Sequence, residues 1–352
     1  MTDDFFTTEF GRTIKFVPGH FEANEPYVQY LDAQSHTHEL TTMKQGKLPW
    51  GNPAKDLVEF SGMIAFMQRF GLLRKFENSI DLGGAEGTVS ALLRSLDLVQ
   101  HATNLDLIDF TPQTGPDYFK EFLQLMYSDS PAKAALEKGI RKAKFTFDYV
   151  PDQPYLSGLF FGKPELAVVD HHIHGTVESA TGSYDLISAF SCFEHLDLDS
   201  ALAKTRSLLK PGGVFVSQNE AWYWVYNSLG VIGHFPYTAA RLTHADIDRY
   251  LSQFHPTLVA GYRRRVEQIR QTQQRPTIKD WFDFGRKNGL RPVAVERIMP
   301  RQHSQILPCP PKLFMKDYFD HRDVLTDIHM FQPDVAVDDL LTYAIRIAMV
   351  AV

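Results

Sequence analysis

The chain has 352 residues, of which 44% are hydrophobic and 22% charged, and its formal net charge is -6. That length buries a sizeable core, as one large α/β domain with insertions or as two smaller domains, while the acidic balance argues against a dedicated nucleic-acid binder, whose phosphates reward a basic field. Two cysteines (Cys192, Cys309) exclude a disulfide framework, the acidic start MTDDFFTTEF is no secretory signal, and no run approaches the roughly 18 apolar residues of a bilayer span, so a cytoplasmic protein is expected.

Residues 1–53 are rich in Thr, His, Pro and Gly and lack periodicity, which reads as an arm that packs on or caps the main domain. From Ala54, Leu57, Phe60, Ile64, Met67 and Phe70 recur at helical spacing, and Gly71 suits the end of that helix. Strand-like and helix-like runs then alternate: SIDLGG as strand and turn, TVSALLRSLDLV as helix, ATNLDLIDF as strand, DYFKEFLQLMY and AKAALEKGIRKA as helices. PELAVVD and YDLISAF follow as strands, LDSALAKTRSLL as helix and GGVFVSQ as strand. Parallel strands need crossovers, so the alternation predicts a doubly wound, mostly parallel seven-stranded sheet with helices on both faces.

The sheet domain is expected over 54–218, with an insertion at about 111–160, and is completed by 280–352. A second insertion, 219–279, leaves from a strand's carboxyl end, where ligands bind in such folds, and reads as a lid or substrate wall. Its aromatic stretch holds Trp222, Tyr223, Trp224 and Tyr226, which either stack on a planar acceptor or pack the insertion itself.

SIDLGGAEGTVSALL, from Ser79 to Leu93, sets an acid and three glycines between a strand and a helix, a turn that brings backbone N–H groups and a helix N-terminus against a ligand. Dinucleotides and S-adenosylmethionine (SAM) both fit such a turn. Asp81 separates them, because a carboxylate repels a pyrophosphate and suits an ammonium and a sulfonium. The G-x-G-x-x-G spacing is also absent, the glycines being Gly83, Gly84 and Gly87.

DLGGAEG (Asp81 to Gly87) resembles the first motif of the class I SAM-dependent methyltransferases, D-x-G-x-G-x-G, with Ala85 in place of the middle glycine. Its GG form is similar to small-molecule O-methyltransferases. The resemblance implies that Asp106, at the end of NLDL, grips the two ribose hydroxyls, with Asp109 as the alternative. It places Asp170 near the adenine amine, with His171 beside the adenine, and puts Phe190 in the cofactor site at the end of the fourth strand. SYDLISAF through LKPGGVFVSQ resembles the fourth and fifth strands with their connection. The ordered motifs run from Ser79 to Gln218, and more loosely from Ile278 to the end.

Methyl transfer from a sulfonium is an in-line displacement, so the protein chiefly aligns the nucleophile and excludes water. A hydroxyl acceptor also needs a base, for which His195, His171, His172, Glu194 and, from the lid, His234 are candidates. Histidine pairs at His172/His174 and His36/His38 have the spacing of metal ligands, yet no metal is expected. Cys192 reads as a small buried thiol, and YRRRVEQIR (Tyr262 to Arg270) as a solvated helix face or a contact for an acidic substrate. The expected function is methyl transfer from SAM to a small or medium-sized acceptor, most simply at oxygen, by a protein that need not be monomeric. The alternatives are N- or C-methylation of a macromolecule and a non-catalytic SAM- or metabolite-binding protein of the same fold.

Overall fold

A computed structural model of the chain describes residues 4–21, 53–85, 87–107, 169–223, 233–256, 275–298 and 321–352. In chain order its elements begin with strands β1 (Phe5–Thr7) and β2 (Thr13–Lys15), an antiparallel pair. Then come helix α1 (Pro53–Arg69), β3 (Phe76–Leu82), α2 (Thr88–Ser95), β4 (Val99–Asp106) and β5 (His171–His174). They are followed by β6 (Tyr184–Phe190), α3 (Leu198–Leu208), β7 (Leu209–Glu220), α4 (Thr238–Arg241) and α5 (His244–Phe254). The last are α6 (Ile278–Lys287), β8 (Leu290–Ile298), α7 (His321–His329), α8 (Val337–Leu341) and β9 (Ala344–Ala351).

Seven strands form one sheet in the order β5-β4-β3-β6-β7-β9-β8. β3 pairs in parallel with β4 and β6, β4 with β5, and β6 with β7, whereas β8 and β9 are antiparallel. This is the mostly parallel α/β sheet expected from the sequence. β3 lies centrally, the chain winding outward from it on one side through β4 and β5 and on the other from β6 through β7. The order therefore reverses between β3 and β6, and their carboxyl ends flank the crevice where this architecture receives ligands.

The apolar stripe of α1 is buried at Phe60, Ile64 and Met67 but stops there, since Phe70 is 43% exposed beyond the helix end. Together with Leu92 and Leu93 of α2, these side chains pack on Leu186, Val214 and Val216 of the sheet. α5 starts where Thr243 accepts a hydrogen bond from the Asp246 N–H at 3.2 Å, a side-chain cap that satisfies one open helical donor.

Two strands differ from expectation. The third was expected in PELAVVD, of which 164–168 lie outside the described residues; the described strand there, His171–His174, begins after Asp170. β5 is the end strand of the sheet, and His171 and His174 are exposed there, so a histidine-rich sequence is tolerated that would be costly in the middle. The fifth begins before the expected turn, with Tyr184 opposite Leu209 and Leu186 opposite Val214, so KPGG is a bulge within β7.

The chain divides into two compact units. One comprises Pro49–Asn219, Asp280–Ile298 and Ala344–Val352 and contains the sheet. The other comprises Met1–Leu48, Glu220–Lys279 and Met299–Tyr343. Its described core gathers Trp222, Tyr223, Phe235, Tyr250, Ile328 and Leu340 together with Phe6 of β1 and Ile14 of β2. No helix among the described residues is long and apolar enough to cross a membrane.

Candidate functional site

Asp81 sits one residue before the end of β3 and is 1% exposed. Register pairs it with Ser188 of β6, whose Oγ donates to Asp81 Oδ1 at 2.7 Å. Burial lifts the Asp81 pKa from 3.8 to about 7; the Ser188 hydrogen bond opposes that rise, and the nearby Asp106 charge adds to it. At neutral pH the group is thus poised between its two forms, and a cation beside it would drive the proton off.

The turn after β3 is shaped by neighbouring side chains. Gly83 has φ +69°, and a Cβ there would press on Cys192. A Cβ at Gly84 would overlap the Asn104 amide and the Asp81 carboxylate. Replacing Gly84 with alanine is therefore expected to cost about 1–3 kcal/mol of stability, read as a lowered Tm, and to weaken cofactor binding. Gly87, at φ +81°, is the N-cap of α2, with His172 Cε1 3.0 Å from where its Cβ would lie.

Between them, Ala85 holds φ +46°, a left-handed conformation that disfavours any residue with a Cβ. Its peptide groups are clamped on both sides. The Ala85 N–H donates to Asp106 Oδ2 at 2.9 Å, and its carbonyl accepts from Asn104 Nδ2 at 2.7 Å. Asn104 and Asp106 alternate on β4 and so face the same way, which is how both reach one residue. Ala85→Gly, restoring the residue that the related motif carries there, is expected to raise Tm by relieving up to about 1 kcal/mol of strain.

Four carboxylates gather at this end of the sheet. Burial pushes the Cys192 thiol well above its ordinary range, and the negative charges of Glu194, Asp106, Asp81 and Glu178 push it further. A thiol held protonated in this way is no nucleophile, and the concentration of negative charge suits a cationic ligand. Asn104 Oδ1 and His172 Nε2 are buried here without a hydrogen-bond partner among the described residues. His172 Nδ1 lies 3.4 Å from Asn104 Nδ2, and burial lowers the His172 pKa, favouring the neutral ring. Among the described residues, no group of three or more His, Cys, Asp or Glu side chains is arranged to hold a metal ion.

Of the residues singled out from the sequence, the structure brings Asp81, Gly83, Gly84, Gly87 and Asp106 together around this turn. Half-buried Phe190 ends β6 and packs against the sheet core. His195 is exposed in a 3-10 turn, Phe193–His195, with its N–H donating to the Cys192 carbonyl at 3.0 Å. Asp170 and His171 fall elsewhere. Asp170 precedes β5, where its carboxylate accepts the Ala102 N–H at 2.7 Å and pairs with Arg94 at 3.2 Å. His171 opens β5 opposite Thr103, whereas Asp106 lies opposite His174 at the strand's far end. Asp170 and His171 thus lie short of the carboxyl end of β5, with His171 level with Thr103 in the body of β4.

In the other unit, His234 Nδ1 lies 2.6 Å from Tyr250 Oη, its ring stacked on Phe16 and on His255. Trp222 and Tyr223 are buried in the core there, 3% and 1% exposed. Trp224, Tyr226, Glu86, Asp109, Cys309, His36, His38 and the Tyr262–Arg270 cluster lie outside the described residues. Sequence reasoning missed Asn104 and Ser188. The alternation of β4 points to Asn104, two residues before Asp106; Ser188 carries no local signal, because only the pairing of β3 with β6 brings it to Asp81.

The sequence matches the family described as "Methyltransferase domain" over residues 59–293, more than half of its length. The chain belongs to that family. It is a class I SAM-dependent methyltransferase, with the sheet order and first-strand turn that accompany SAM use. No curated protein matches the sequence. Among solved structures, a SAM-dependent methyltransferase from Clostridium acetobutylicum is 9% identical, with a TM-score of 0.40 over 92% of this chain and 99% of that one. Phosphoethanolamine N-methyltransferase 2 from Haemonchus contortus, solved with SAM, is 14% identical, with a TM-score of 0.39 over 97% of this chain and 62% of that one. Likeness this distant carries no argument about the acceptor of this methyltransferase.

Ser188 tunes the first carboxylate of the site. Without its hydroxyl the charged form of Asp81 loses a hydrogen bond, so Ser188→Ala is expected to move the pH midpoint of SAM affinity upward by about one unit. Calorimetric titration across pH 5.5–8.5 measures this; an unmoved midpoint contradicts the role.

Proposed function

We propose that this methyltransferase holds SAM across the carboxyl ends of β3 and β4 and transfers its methyl group to a small or medium-sized acceptor, at oxygen. The observation that carries the reading is the group of carboxylates, Asp81, Asp106, Glu178 and Glu194, which raises the buried Cys192 thiol. Such a site repels a pyrophosphate and attracts the ammonium and sulfonium of SAM. Asp81 complements those positive charges, Asp106 grips the ribose hydroxyls, and the clamped Ala85 peptide holds the turn in shape for both. Asn104 Oδ1 and His172 Nε2, buried without a partner among the described residues, supply further polar groups.

SAM supplies an electrophilic methyl group already activated by its sulfonium. The chain's own task is to align an acceptor oxygen in line with that carbon, exclude water and take up the acceptor's proton. His195 and Glu194, following β6, serve that task better than His171 at the opposite end of β5. We assign acceptor recognition to the unit containing Glu220–Lys279. The formal charge of -6 supports a small acceptor over a nucleic acid.

The test is incubation with SAM labelled with carbon-13 at the methyl group and a small-molecule cell filtrate, followed by mass spectrometry and carbon NMR. A product one methyl heavier, with the carbon shift of a methoxyl group, is expected. An N-methyl or C-methyl shift overturns the oxygen assignment, and label found only in macromolecules overturns the small-acceptor reading.

A further inference from the structure

Three arginines are buried among the described residues, and two of them have obvious counter-charges. Arg241 donates through Nε and Nη2 to Asp327, at 2.8 and 2.6 Å. Arg346 Nη1 meets Glu296 at 2.5 Å, and its Nε meets Gln218 at 3.1 Å. Arg275, 8% exposed, has no carboxylate partner among the described residues. Its Nη1 donates to the carbonyls of Leu242 at 2.8 Å and Ala239 at 3.3 Å, at the end of α4. The guanidinium carbon lies 4.6 Å from the Trp222 ring centroid and 5.5 Å from that of Phe331.

Buried charges are ordinarily paired, since taking an ion out of water is costly unless an opposite charge or several hydrogen bonds replace the lost solvent. Two carbonyls at a helix end account for one corner of the guanidinium. The Nε and Nη2 groups donate to nothing among the described residues, and together they form the edge with which arginine grips carboxylate or phosphate through two parallel hydrogen bonds. The backbone beneath is held as well, for Tyr223 Oη donates to the Arg275 carbonyl at 3.2 Å. Burial lowers the pKa only to about 10, so the cation persists at neutral pH.

We propose that the Nε–Nη2 edge of Arg275, floored by Trp222, is a subsite for an oxyanion, a carboxylate or a phosphate carried by the methyl acceptor. This rests on the assignment of acceptor recognition to this unit. It gives the acceptor a chemical class, an anionic small molecule in which the methylated oxygen is distinct from the anchoring group.

The test uses the full chain labelled with nitrogen-15 at arginine. The Arg275 Nε–H resonance is identified by its loss in Arg275→Lys, or, should that variant not fold, by its contact with the Trp222 ring. Inorganic phosphate and benzoate are titrated separately at constant ionic strength maintained with chloride. A saturable shift of the Arg275 signal, with those of Arg241 and Arg346 unmoved, is expected from at least one of them, and the one that acts identifies the anion. Where the variant folds, affinity for that anion is expected to fall about tenfold or more while SAM affinity stays unchanged. If neither anion moves the Arg275 signal while SAM binds normally, the subsite is overturned and the methyl-transfer reading stands. A shift in a protein that does not bind SAM has the opposite meaning: the subsite survives and the methyl-transfer reading fails.

Discussion

Replacing Asp106 with alanine is expected to weaken SAM binding about a hundredfold in calorimetric titration, because the two hydrogen bonds we propose from ribose hydroxyls to its charged carboxylate disappear together. The same substitution releases the Ala85 N–H, which donates to Asp106 Oδ2 at 2.9 Å, so part of the loss would come from a slackened turn. Asp106→Asn separates the two contributions. The amide oxygen can still accept from Ala85, but it brings no negative charge to the ribose, so an intermediate loss is expected. Affinity unchanged in the alanine variant would remove Asp106 from the site.

The second large effect is a pH dependence. Asp81 has a pKa of about 7 in the folded, ligand-free protein against an ordinary 3.8. The fold therefore favours the protonated carboxyl, and the stability this confers is fully present below pH 3.8 and is lost as pH rises toward 7. Cofactor binding has the opposite sign. A cation favours the charged carboxylate, so SAM affinity is expected to rise by about tenfold per pH unit at its steepest below 7 and to level off above it. Binding at pH 6.5 should release a proton, detectable as an enthalpy that changes with the ionisation heat of the buffer. Asp81→Asn should abolish both the proton release and the slope. A slope of the other sign, or one that survives in the asparagine variant, would show that Asp81 does not face the cation.

The central architecture was legible because its determinants are local. Alternating apolar runs separated by glycine turns predict parallel strands with crossovers, and the acid followed by glycines at Asp81–Gly87 marks the first strand's carboxyl end. The third strand is expected in PELAVVD, of which 164–168 lie outside the described residues, whereas the described strand beside β4 is HHIH, of weaker β character. The choice between them depends on β5 lying at the end of the sheet, a property of topology that local pattern does not carry. In that register Asp170 and His171 precede the strand's carboxyl end, where Asp106 lies opposite His174.

The glycines were legible as a close approach, but the approaching groups include the protein's own: Asp81, Asn104 and Cys192 stand where Cβ atoms would be. Neither the pairing of Ser188 with Asp81 nor the burial of Arg275 has a sequence signature, since each arises from segments brought together by folding. Ser188 is 107 residues from Asp81. Arg275 meets Trp222 and Phe331 from separate parts of the chain.

The most direct test of the central claim, that an acidic crevice at the carboxyl ends of β3 and β4 holds a cationic methyl donor, is calorimetric titration of the wild-type protein with SAM and, under identical conditions, with NAD. Saturable binding of SAM to one site per chain, with no heat of binding from NAD, is the expected result. Binding of NAD in place of SAM would contradict it.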